Sequence, residues 1–412
     1  MTDQIDPFER AIERRLRARA SLASRPVDAA SVARAAIATA PPRRLPWKGA
    51  LPMRASLAWV VILTVLVATV AGGAMLVGAL LRAPALPPPS LLAIGSGDGF
   101  FIARADGSAP RQIANDGPYF VPQWSSDGTM AATTAVIGDE GNMLTVFAAD
   151  GSRVARIPGV TDLRWSPATH ALAITTFPEP RLLVVAPGQG FGEGGQSLSL
   201  SLPPGTQRIV GFDWAPDGRR LAVAIVTGAD PEAPTLWTVP ADGGPAEAVP
   251  GDGRTVASFP AWSPDGRSIA VTTDRCDGSG VCPPSMVRIL DAASGVRRAE
   301  VESLWRPGQV HWSPDGSALA VDGLMPDDPA LQRRREVIVY RLGDNSVTRV
   351  TDTPTGSTLL LGWSPDGASL LVRRETDESG AREAWQVDAT TGTARLLAAE
   401  AFGVALQPVP AR

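Results

Sequence analysis

The chain is poor in the residues from which many catalytic and metal-binding sites are built. Its 412 residues include only two histidines, two cysteines and one lysine. A structural zinc site needs about four cysteine or histidine ligands, and the single cysteine pair has no histidine near it. The G-x-S-x-G sequence that carries the nucleophile of α/β-hydrolases is also missing. We therefore assign no catalytic residue, no metal and no cofactor.

Positive charge is scarce after the first 54 residues. Residues 1–54 hold 11 Lys and Arg against 5 Asp and Glu, whereas residues 83–412 hold 26 against 37. A surface that binds nucleic acid needs clustered Lys and Arg. The acidic main part of the chain therefore argues against nucleic acid as a partner.

Residues 55–81 form one long apolar run, 27 residues without a charge. About 20 apolar residues cross the hydrocarbon core of a bilayer, so this run predicts a single transmembrane helix. Only Arg82 follows it closely, whereas four cations precede it: Arg43, Arg44, Lys48 and Arg54. The positive-inside rule then leaves residues 1–54 in the cytoplasm and the rest outside. We predict an uncleaved signal anchor; a cleaved signal peptide is the alternative, because residues 83–85 resemble a cleavage site.

The basic segment 1–54 is predicted to contain two short helices, within residues 6–23 and 27–40. Helices of this length are marginal alone in water. They are suited to docking on a cytoplasmic regulator, with attraction to an anionic membrane as the simpler alternative. The proline-rich residues 82–89 are predicted to be a linker.

The two cysteines, Cys276 and Cys282, lie in a loop-like stretch with the sequence DRCDGSGVCPPS. Outside the cytoplasm, a pair this close in sequence predicts a local disulfide that closes the loop. Free thiols and a metal-binding pair are the alternatives, and the second is disfavoured because the chain has no other Cys and no His nearby.

A short pattern recurs six times, for example as AWSPDGRSIAVTT at residue 261 and GWSPDGASLLVRR at 362. The Trp ends a strand, Pro-Asp-Gly supplies turn residues, and the alternating apolar residues predict a second strand. The copy at 165 lacks Asp-Gly. Because the acids recur at one turn position, we predict turn caps instead of catalytic groups. The repeated positions are Trp124, Asp127, Gly128, Trp165, Trp214, Asp217, Gly218, Trp262, Asp265, Gly266, Trp312, Asp315, Gly316, Trp363, Asp366 and Gly367.

A second hairpin follows each copy, so that one repeat holds four strands. Successive Trp residues are 41, 49, 48, 50 and 51 residues apart. Four strands in about 40–50 residues is the period of a β-propeller blade. Residues 90–113 supply one more hairpin without a Trp strand, and residues 402–409 supply an unmatched strand. Together they predict a seven-bladed, all-β propeller over residues 90–412, closed by the C-terminal strand, with six blades as the alternative.

The repeat WSPDG-x-x-LAV resembles that of the TolB-type, WD40-like β-propellers. This resemblance implies four-stranded antiparallel blades, but propellers carry many functions. The same repeat shape occurs in the propeller domains of prolyl oligopeptidase-type enzymes, whose hydrolase domain has no counterpart here. Short cytoplasmic helices, one membrane span and an exported domain resemble the arrangement of transmembrane anti-sigma regulators.

We therefore predict a membrane-anchored propeller of a bacterial cell envelope that binds an unknown extracytoplasmic protein or ligand. The loops 227–234, 274–286 and 324–334 should share one face and are the candidate contact surface. The alternative is an envelope hydrolase with a metal in the propeller channel. Asp162 and Asp213 would face that channel, but the equivalent positions of other copies are too mixed for a ring of ligands. His170 and His311 are interpreted as incidental polar residues.

Overall fold

The computed structural model describes residues 91–408 except for 186–196, 229–233, 251–257, 274–284, 305–306, 325–333, 354–355 and 377–379. The predicted cytoplasmic segment, membrane span and linker, together with Cys276 and Cys282, lie outside the described residues. Within the described part of the chain, no helix has the length and apolar character needed to cross a membrane.

The described residues form seven sheets, each of four antiparallel strands. Blade 1 contains, in sheet order, β28 (Ala401–Leu406), β1 (Leu91–Ser96), β2 (Gly99–Arg104) and β3 (Arg111–Ala114). Blade 2 contains β4 (Gln123–Trp124), β5 (Met130–Ile137), β6 (Gly141–Ala148) and β7 (Arg153–Pro158). Blade 3 contains β8 (Val160–Trp165), β9 (Leu172–Thr176), β10 (Leu182–Val185) and β11 (Ser197–Ser199). Blade 4 contains β12 (Thr206–Trp214), β13 (Arg220–Thr227), β14 (Thr235–Pro240) and β15 (Glu247–Ala248). Blade 5 contains β16 (Ser258–Trp262), β17 (Ser268–Thr273), β18 (Ser285–Asp291) and β19 (Arg297–Leu304). Blade 6 contains β20 (Val310–Trp312), β21 (Ala318–Leu324), β22 (Arg335–Arg341) and β23 (Ser346–Arg349). Blade 7 contains β24 (Ser357–Trp363), β25 (Ser369–Glu375), β26 (Arg382–Asp388) and β27 (Ala394–Ala398).

The first strand of each blade in this order is its innermost strand. Each of these seven strands contacts the innermost strands of both neighbouring blades, so the blades form a closed ring. The C-terminal strand β28 completes blade 1 by pairing with β1, with Leu92 opposite Leu406 and Ile94 opposite Val404. The prediction of seven blades closed by the C-terminal strand is therefore confirmed, and the six-bladed alternative is wrong.

The hydrophobic core is divided among the interfaces between blades. Seven clusters of buried apolar side chains are found in the described residues, and each joins side chains of two neighbouring blades. The cluster between blades 1 and 2 contains Phe100 stacked on Phe147, with ring centroids 4.5 Å apart. No blade can bury both of its faces alone, so each blade depends on its two neighbours to cover its apolar side chains.

The repeat tryptophans connect neighbouring blades. The indole Nε1–H of Trp214 donates to the backbone carbonyl of Arg164 at 3.0 Å, and Arg164 directly precedes the tryptophan of the preceding blade. The same bond, between 3.0 and 3.1 Å, is made by Trp124 to Ala405, Trp165 to Gln123, Trp312 to Ala261 and Trp363 to His311. Each of these five tryptophans therefore packs its ring in an interface between blades and donates a hydrogen bond across it from its indole N–H.

The turns after five of the repeat tryptophans contain the aspartate hydrogen bonds that their Asp-Gly sequences predict. Asp315 accepts hydrogen bonds from the Ser313 hydroxyl at 2.6 Å and from the Ser317 amide at 3.0 Å, and these bonds hold the pKa of its carboxyl below 3.8. Asp127, Asp217, Asp265 and Asp366 accept from the backbone two residues later in the same way. Gly128, Gly218, Gly266, Gly316 and Gly367 have φ between 67° and 72°, a left-handed conformation that glycine adopts without strain.

The antiparallel order gives the disc two different faces. The turns between first and second strands and between third and fourth strands share one side, which we call the turn face. The connections between second and third strands and from one blade to the next share the other side, the loop face. The predicted contact loops 227–234, 274–286 and 324–334 join second to third strands, and most of their residues lie outside the described ones.

Candidate ligand-binding channel

The channel along the propeller axis is enclosed by the seven innermost strands and contains two cavities. One, of about 560 Å³, is lined mainly by blades 3 to 6. The other, of about 890 Å³, is lined mainly by blades 7, 1 and 2, with contributions from blades 3 to 6. We call them the smaller and the larger cavity. Both volumes are in the range of small-molecule sites.

An arginine reaches across the channel between the two cavities. The guanidinium of Arg164, on β8 of blade 3, donates to the side-chain carbonyl of Gln309, just before β20 of blade 6, at 3.1 Å. Blades 4 and 5 lie on one side of this bond and blades 7, 1 and 2 on the other. Both cavities have Arg164 and Gln309 in their walls. This Arg164–Gln309 bridge therefore divides the channel.

The position of Arg164 is fixed by its own strand. Its guanidinium donates to the Asp162 carboxylate at 2.9 Å and to the backbone carbonyl of Leu163 at 2.8 Å. The ring of Phe212 lies 6.0 Å from the guanidinium carbon. A planar group with several donors and a nearby carboxylate is held in one orientation. The bridge is therefore a preorganised part of the channel and its charge is neutralised locally by Asp162.

Two titratable side chains of the smaller cavity have shifted pKa values. Burial raises the pKa of Asp213 on β12 to about 6, against the opposing hydrogen bond from the Trp262 amide and the charge of Arg164. Burial lowers the pKa of His311 on β20 to about 4, and the charge of Arg164 adds to this shift. His311 is therefore a neutral imidazole at neutral pH. Its Nε2 atom is buried and has no protein hydrogen-bond partner.

The interface between blades 4 and 5 departs from the regular pattern. The Nε1–H of Trp262 is buried without a partner, whereas the five other repeat tryptophans bond to the preceding blade. Here the Asp213 carboxylate accepts the backbone N–H of Trp262 at 2.8 Å. A side chain has thus replaced a backbone carbonyl as the link between these blades.

The same interface contains a strained aromatic residue. Phe259 has φ of 45°, a conformation that is uncommon for a bulky residue, and it lies where β16 departs from regular register with β17. It lines both cavities. A side chain at Gly211 on β12 would come within 3.2 Å of the Phe259 Cα, so glycine permits this close approach. Backbone strain of this kind is found preferentially at binding and catalytic sites.

The repeat residues predicted from the sequence are not gathered into one site. Their aspartates and glycines form turns on the turn face, one blade after another. Five of the tryptophans, Trp165, Trp214, Trp262, Trp312 and Trp363, line the smaller cavity with parts of their rings. Of the residues considered for the channel, Asp162 and Asp213 line it, and His311 does so as well.

His311, interpreted from the sequence as an incidental polar residue, lines both cavities, and its buried Nε2 atom has no protein hydrogen-bond partner. His170, in the altered turn of blade 3, lies with its Nδ1 atom 3.4 Å from the Asp127 carboxylate of blade 2. Arg164, Gln309 and Phe259 were not recognised from the sequence. The only signal was that Arg164 and His311 occupy the position directly before the repeat Trp.

Two further groups of charged residues are buried in blade 6. Asp322 on β21 pairs with Arg335 on β22 at 2.6 Å. Burial raises the pKa of Asp322, against the charge of Arg335. Glu336, fully buried, accepts from the Thr353 amide at 2.9 Å. Among the described residues, no three His, Cys, Asp or Glu side chains are grouped as a metal site. The alternative, a hydrolase with a metal in the channel, therefore finds no ligand set among the described residues.

Comparison with known proteins gives a fold and no family. No family model matches the sequence, and no curated protein does. Among solved structures, a putative 6-phosphogluconolactonase from Bacteroides fragilis is 14% identical over 79% of this chain and 99% of that chain, with a TM-score of 0.53. Dihydro-heme d1 dehydrogenase is 15% identical over 79% of this chain and 76% of that chain, with a TM-score of 0.50.

TolB structures are also among the matches. TolB from Acinetobacter baumannii is 14% identical over 81% of this chain and 70% of that chain, with a TM-score of 0.46. At these identities the likeness establishes the propeller fold alone, since propellers with different functions share it.

Proposed function

We propose that the chain is a single-pass protein of the bacterial cell envelope whose propeller, displayed outside the cytoplasm, binds a small ligand in its central channel. The observation that carries the proposal is the divided channel itself. Fold stability requires the carbonyls and tryptophans of the innermost strands. It does not require a guanidinium that crosses the channel, an unpartnered imidazole nitrogen or a strained phenylalanine beside it. Convergent polar groups in a preformed cavity are the usual form of a ligand site.

The ligand-binding part of the proposal is tested with the full chain purified in detergent. Native mass spectrometry of the gently purified protein should reveal a bound small molecule. The substitution Arg164→Met keeps the length of the side chain, removes the bridge and leaves the Arg164 carbonyl in place for Trp214, so it should release that molecule while the thermal unfolding temperature changes little. An unloaded wild-type protein that also gains no thermal stability from an extract of cell-envelope metabolites would refute the proposal.

Membrane anchoring rests on the apolar residues 55–81 and the excess of positive charge before them. Alkaline phosphatase fused after residue 412 should be active, because this enzyme requires an oxidising compartment, and β-galactosidase fused at the same place should be inactive. Deleting 55–81 should reverse both results. An active β-galactosidase fusion of the full chain would contradict the proposed orientation.

Binding in the channel and the cytoplasmic segment suggest a signalling extension of the same proposal. Residues 1–54 would contact a cytoplasmic regulator and report on the state of the propeller. A cross-link between residues 1–54 and a cytoplasmic protein that depends on Arg164 would support it, and the same cross-link in the Arg164→Met protein would contradict it.

A further inference from the structure

The lining of the smaller cavity carries a negative charge without a partner. Three charged side chains line it, those of Asp162, Arg164 and Asp213. Arg164 and Asp162 form an ion pair at 2.9 Å, whereas no ion pair to Asp213 is found among the described residues. The pKa of Asp213, raised by burial to about 6, leaves its carboxyl mostly ionised at neutral pH, and burial keeps His311 neutral by lowering its pKa to about 4. The cavity therefore attracts cations and repels anions.

The ionised Asp213 is unfavourable for the fold itself. Burial disfavours the charged carboxyl, and the amides of Trp262 and Trp214 and the charge of Arg164 offset this effect only in part, since the pKa remains raised. An asparagine would keep an acceptor for the Trp262 amide, which lies 2.8 Å from the carboxylate, without the charge. A charge retained where the fold would be more stable without it is typical of functional sites.

Aromatic rings form much of the remaining wall. Phe259, Trp312 and Trp363 line the smaller cavity and are only partly buried. The face of an aromatic ring attracts a cation, most strongly where the cation is removed from water. The same rings pack against apolar groups attached to the cation. A carboxylate among aromatic rings is therefore suited to an organic cation.

The charge of the larger cavity is balanced. Besides Asp162, Arg164 and Asp213, the Asp322–Arg335 ion pair and Arg373 line it, so three Asp side chains are matched by three Arg side chains. The unmatched negative charge therefore belongs to the smaller cavity. That cavity reaches the turn face, because its wall includes prolines of four turns between first and second strands, Pro167, Pro216, Pro264 and Pro314.

A metal ion is less suited to this cavity than an organic cation. Calcium takes about six to eight oxygen ligands, several of them from carboxylates. Asp213 is the one carboxylate of the lining outside the Asp162–Arg164 ion pair, and no group of three His, Cys, Asp or Glu side chains is found among the described residues. A single positive charge is enough to neutralise it.

We propose that the smaller cavity binds a small organic cation, a compound with one ammonium group on an apolar body. This inference rests on the proposed function, because it specifies the ligand of the same channel. The ammonium group pairs with the Asp213 carboxylate, and the apolar body lies against the aromatic rings. The cavity volume of about 560 Å³ accommodates a molecule of this kind.

The first test compares probes of similar size that differ in charge. Phenethylammonium, phenethyl alcohol and phenylacetate form one series, and benzylammonium, benzyl alcohol and benzoate form a second. Each is titrated into the full chain in detergent near neutral pH, with binding measured by ligand-observed NMR. At least one cation should bind with a Kd below about 1 mM and at least about tenfold more tightly than its neutral and anionic counterparts. If neither cation binds, or a counterpart binds equally well, the inference is overturned.

Substitutions locate the bound cation. Asp213→Asn should weaken its binding at least about tenfold, and because this variant loses a buried charge and keeps its fold, unfolding does not explain the loss. Phe259→Leu removes one aromatic face and should weaken binding about threefold. Asp217→Asn is the control, because it removes a carboxylate from the same blade at an exposed turn that lines neither cavity. Equal binding by wild type and Asp213→Asn, or an equal loss in Asp217→Asn, would refute the site.

The affinity for the cation should also follow the ionisation of Asp213. Between about pH 7.5 and pH 5 it should fall about tenfold, because a carboxyl with a pKa of about 6 becomes mostly protonated. Asp162, Arg164 and His311 are the other titratable groups of this cavity, and His311, with a pKa of about 4, stays mostly neutral over this range. The fall should be absent from Asp213→Asn. An affinity of the wild type that does not change with pH would contradict the role of Asp213.

The outcomes separate this inference from the proposed function. Arg164→Met opens the wall between the two cavities and so tests the channel, whereas Asp213→Asn tests the charge of the ligand. A co-purified molecule that is neutral or anionic and is released by Arg164→Met would retain the channel as a ligand site and reject the ammonium compound. A bound ammonium compound that needs Asp213 supports both. The absence of any bound molecule, native or titrated, rejects both.

Discussion

The hydrogen bond between each repeat Trp and the preceding blade can be tested at two positions that differ in this bond. Trp214 and Trp262 are both buried, at 3% and 5% exposure, and follow each other in the ring. The Nε1–H of Trp214 donates to the Arg164 carbonyl at 3.0 Å, whereas that of Trp262 has no partner. Replacing each with Phe removes a similar volume. We therefore expect Trp214→Phe to destabilise the propeller more than Trp262→Phe does.

The size of the difference follows from the hydrogen bond. Trp214→Phe leaves the Arg164 carbonyl without this donor, and an unsatisfied buried group costs about 1–3 kcal/mol. Trp262→Phe removes a buried N–H that was already unsatisfied, so its polar contribution is favourable. The guanidinium of Arg220 lies 5.5 Å from the Trp262 ring, and weakening this contact works against the difference by roughly 0.5 kcal/mol. The net difference should be about 1–3 kcal/mol.

Thermal unfolding of the full chain in detergent, followed by circular dichroism, measures this difference. The unfolding temperature of Trp214→Phe should be about 2–6 °C below that of Trp262→Phe, since 1 kcal/mol corresponds to roughly 2 °C in a protein of this size. The measurement is made without added ligand, because a ligand could supply a partner for the Trp262 indole. Equal unfolding temperatures, or the reverse order, would refute the assignment of a structural role to the indole hydrogen bond.

Three further predictions concern Asp213, the closing strand and the cysteines. Asp213 has a folded-state pKa of about 6, above the ordinary 3.8, so it favours the folded state fully only below about pH 4 and loses this contribution as the pH rises through 6. Asp213→Asn, which keeps an acceptor for the Trp262 amide, should therefore be more stable than wild type at pH 7.5, by up to about 3 kcal/mol, and equally stable at pH 4. Parallel stability curves would contradict the raised pKa. A chain ending after Glu400 loses β28 and exposes the edge of β1, so it should aggregate on expression. The control, a chain ending after Pro408, keeps the described contacts of β28 and should remain folded. A soluble 1–400 protein that unfolds cooperatively would refute the role of β28 in closing the ring. Cys276 and Cys282 should resist alkylation until a reductant is added, as read by the mass of the intact protein, and immediate double alkylation would refute the disulfide.

The fold could be predicted because the repeat is local. Each copy carries its own turn residues and its own alternating strand, so Trp312, Pro314, Asp315 and Gly316 together indicate a hairpin without knowledge of the rest of the chain. Seven blades followed from adding the unmatched first hairpin to the unmatched last strand. The hydrogen bond of the Trp indole could not be predicted, because its acceptor lies in another blade, 42 to 52 residues earlier along the chain in four of the repeats.

The channel could not be predicted because its geometry depends on the closed ring. Arg164 and Gln309 are 145 residues apart and meet only because blades 3 and 6 face each other across the axis. Nothing in the sequence around Phe259 indicates positive φ, since that conformation arises where β16 leaves regular register and approaches Gly211. Burial gives Asp213 and His311 their shifted pKa values, and burial at the axis is likewise a property of the assembled blades.

The position directly before each repeat Trp explains how a repeated scaffold can hold a single asymmetric site. At this position the backbone carbonyl accepts the indole of the next blade in five of the seven blades, so the carbonyl meets the structural need and leaves the side chain free to vary. Gln123, Arg164, Asp213, Ala261, His311 and Gly362 occupy it in blades 2 to 7. A mixture of this kind cannot form a symmetric ring of metal ligands.

The same mixture supplies the bridging Arg164, the acid Asp213 and the neutral imidazole of His311 at one level of the channel. Among the six repeat tryptophans, only Trp262 lacks the indole hydrogen bond to the preceding blade, and Asp213 lies at that interface. The irregular position in the repeat and the polar cavity therefore coincide, which is the arrangement expected if the scaffold gave up one structural bond to form a binding site.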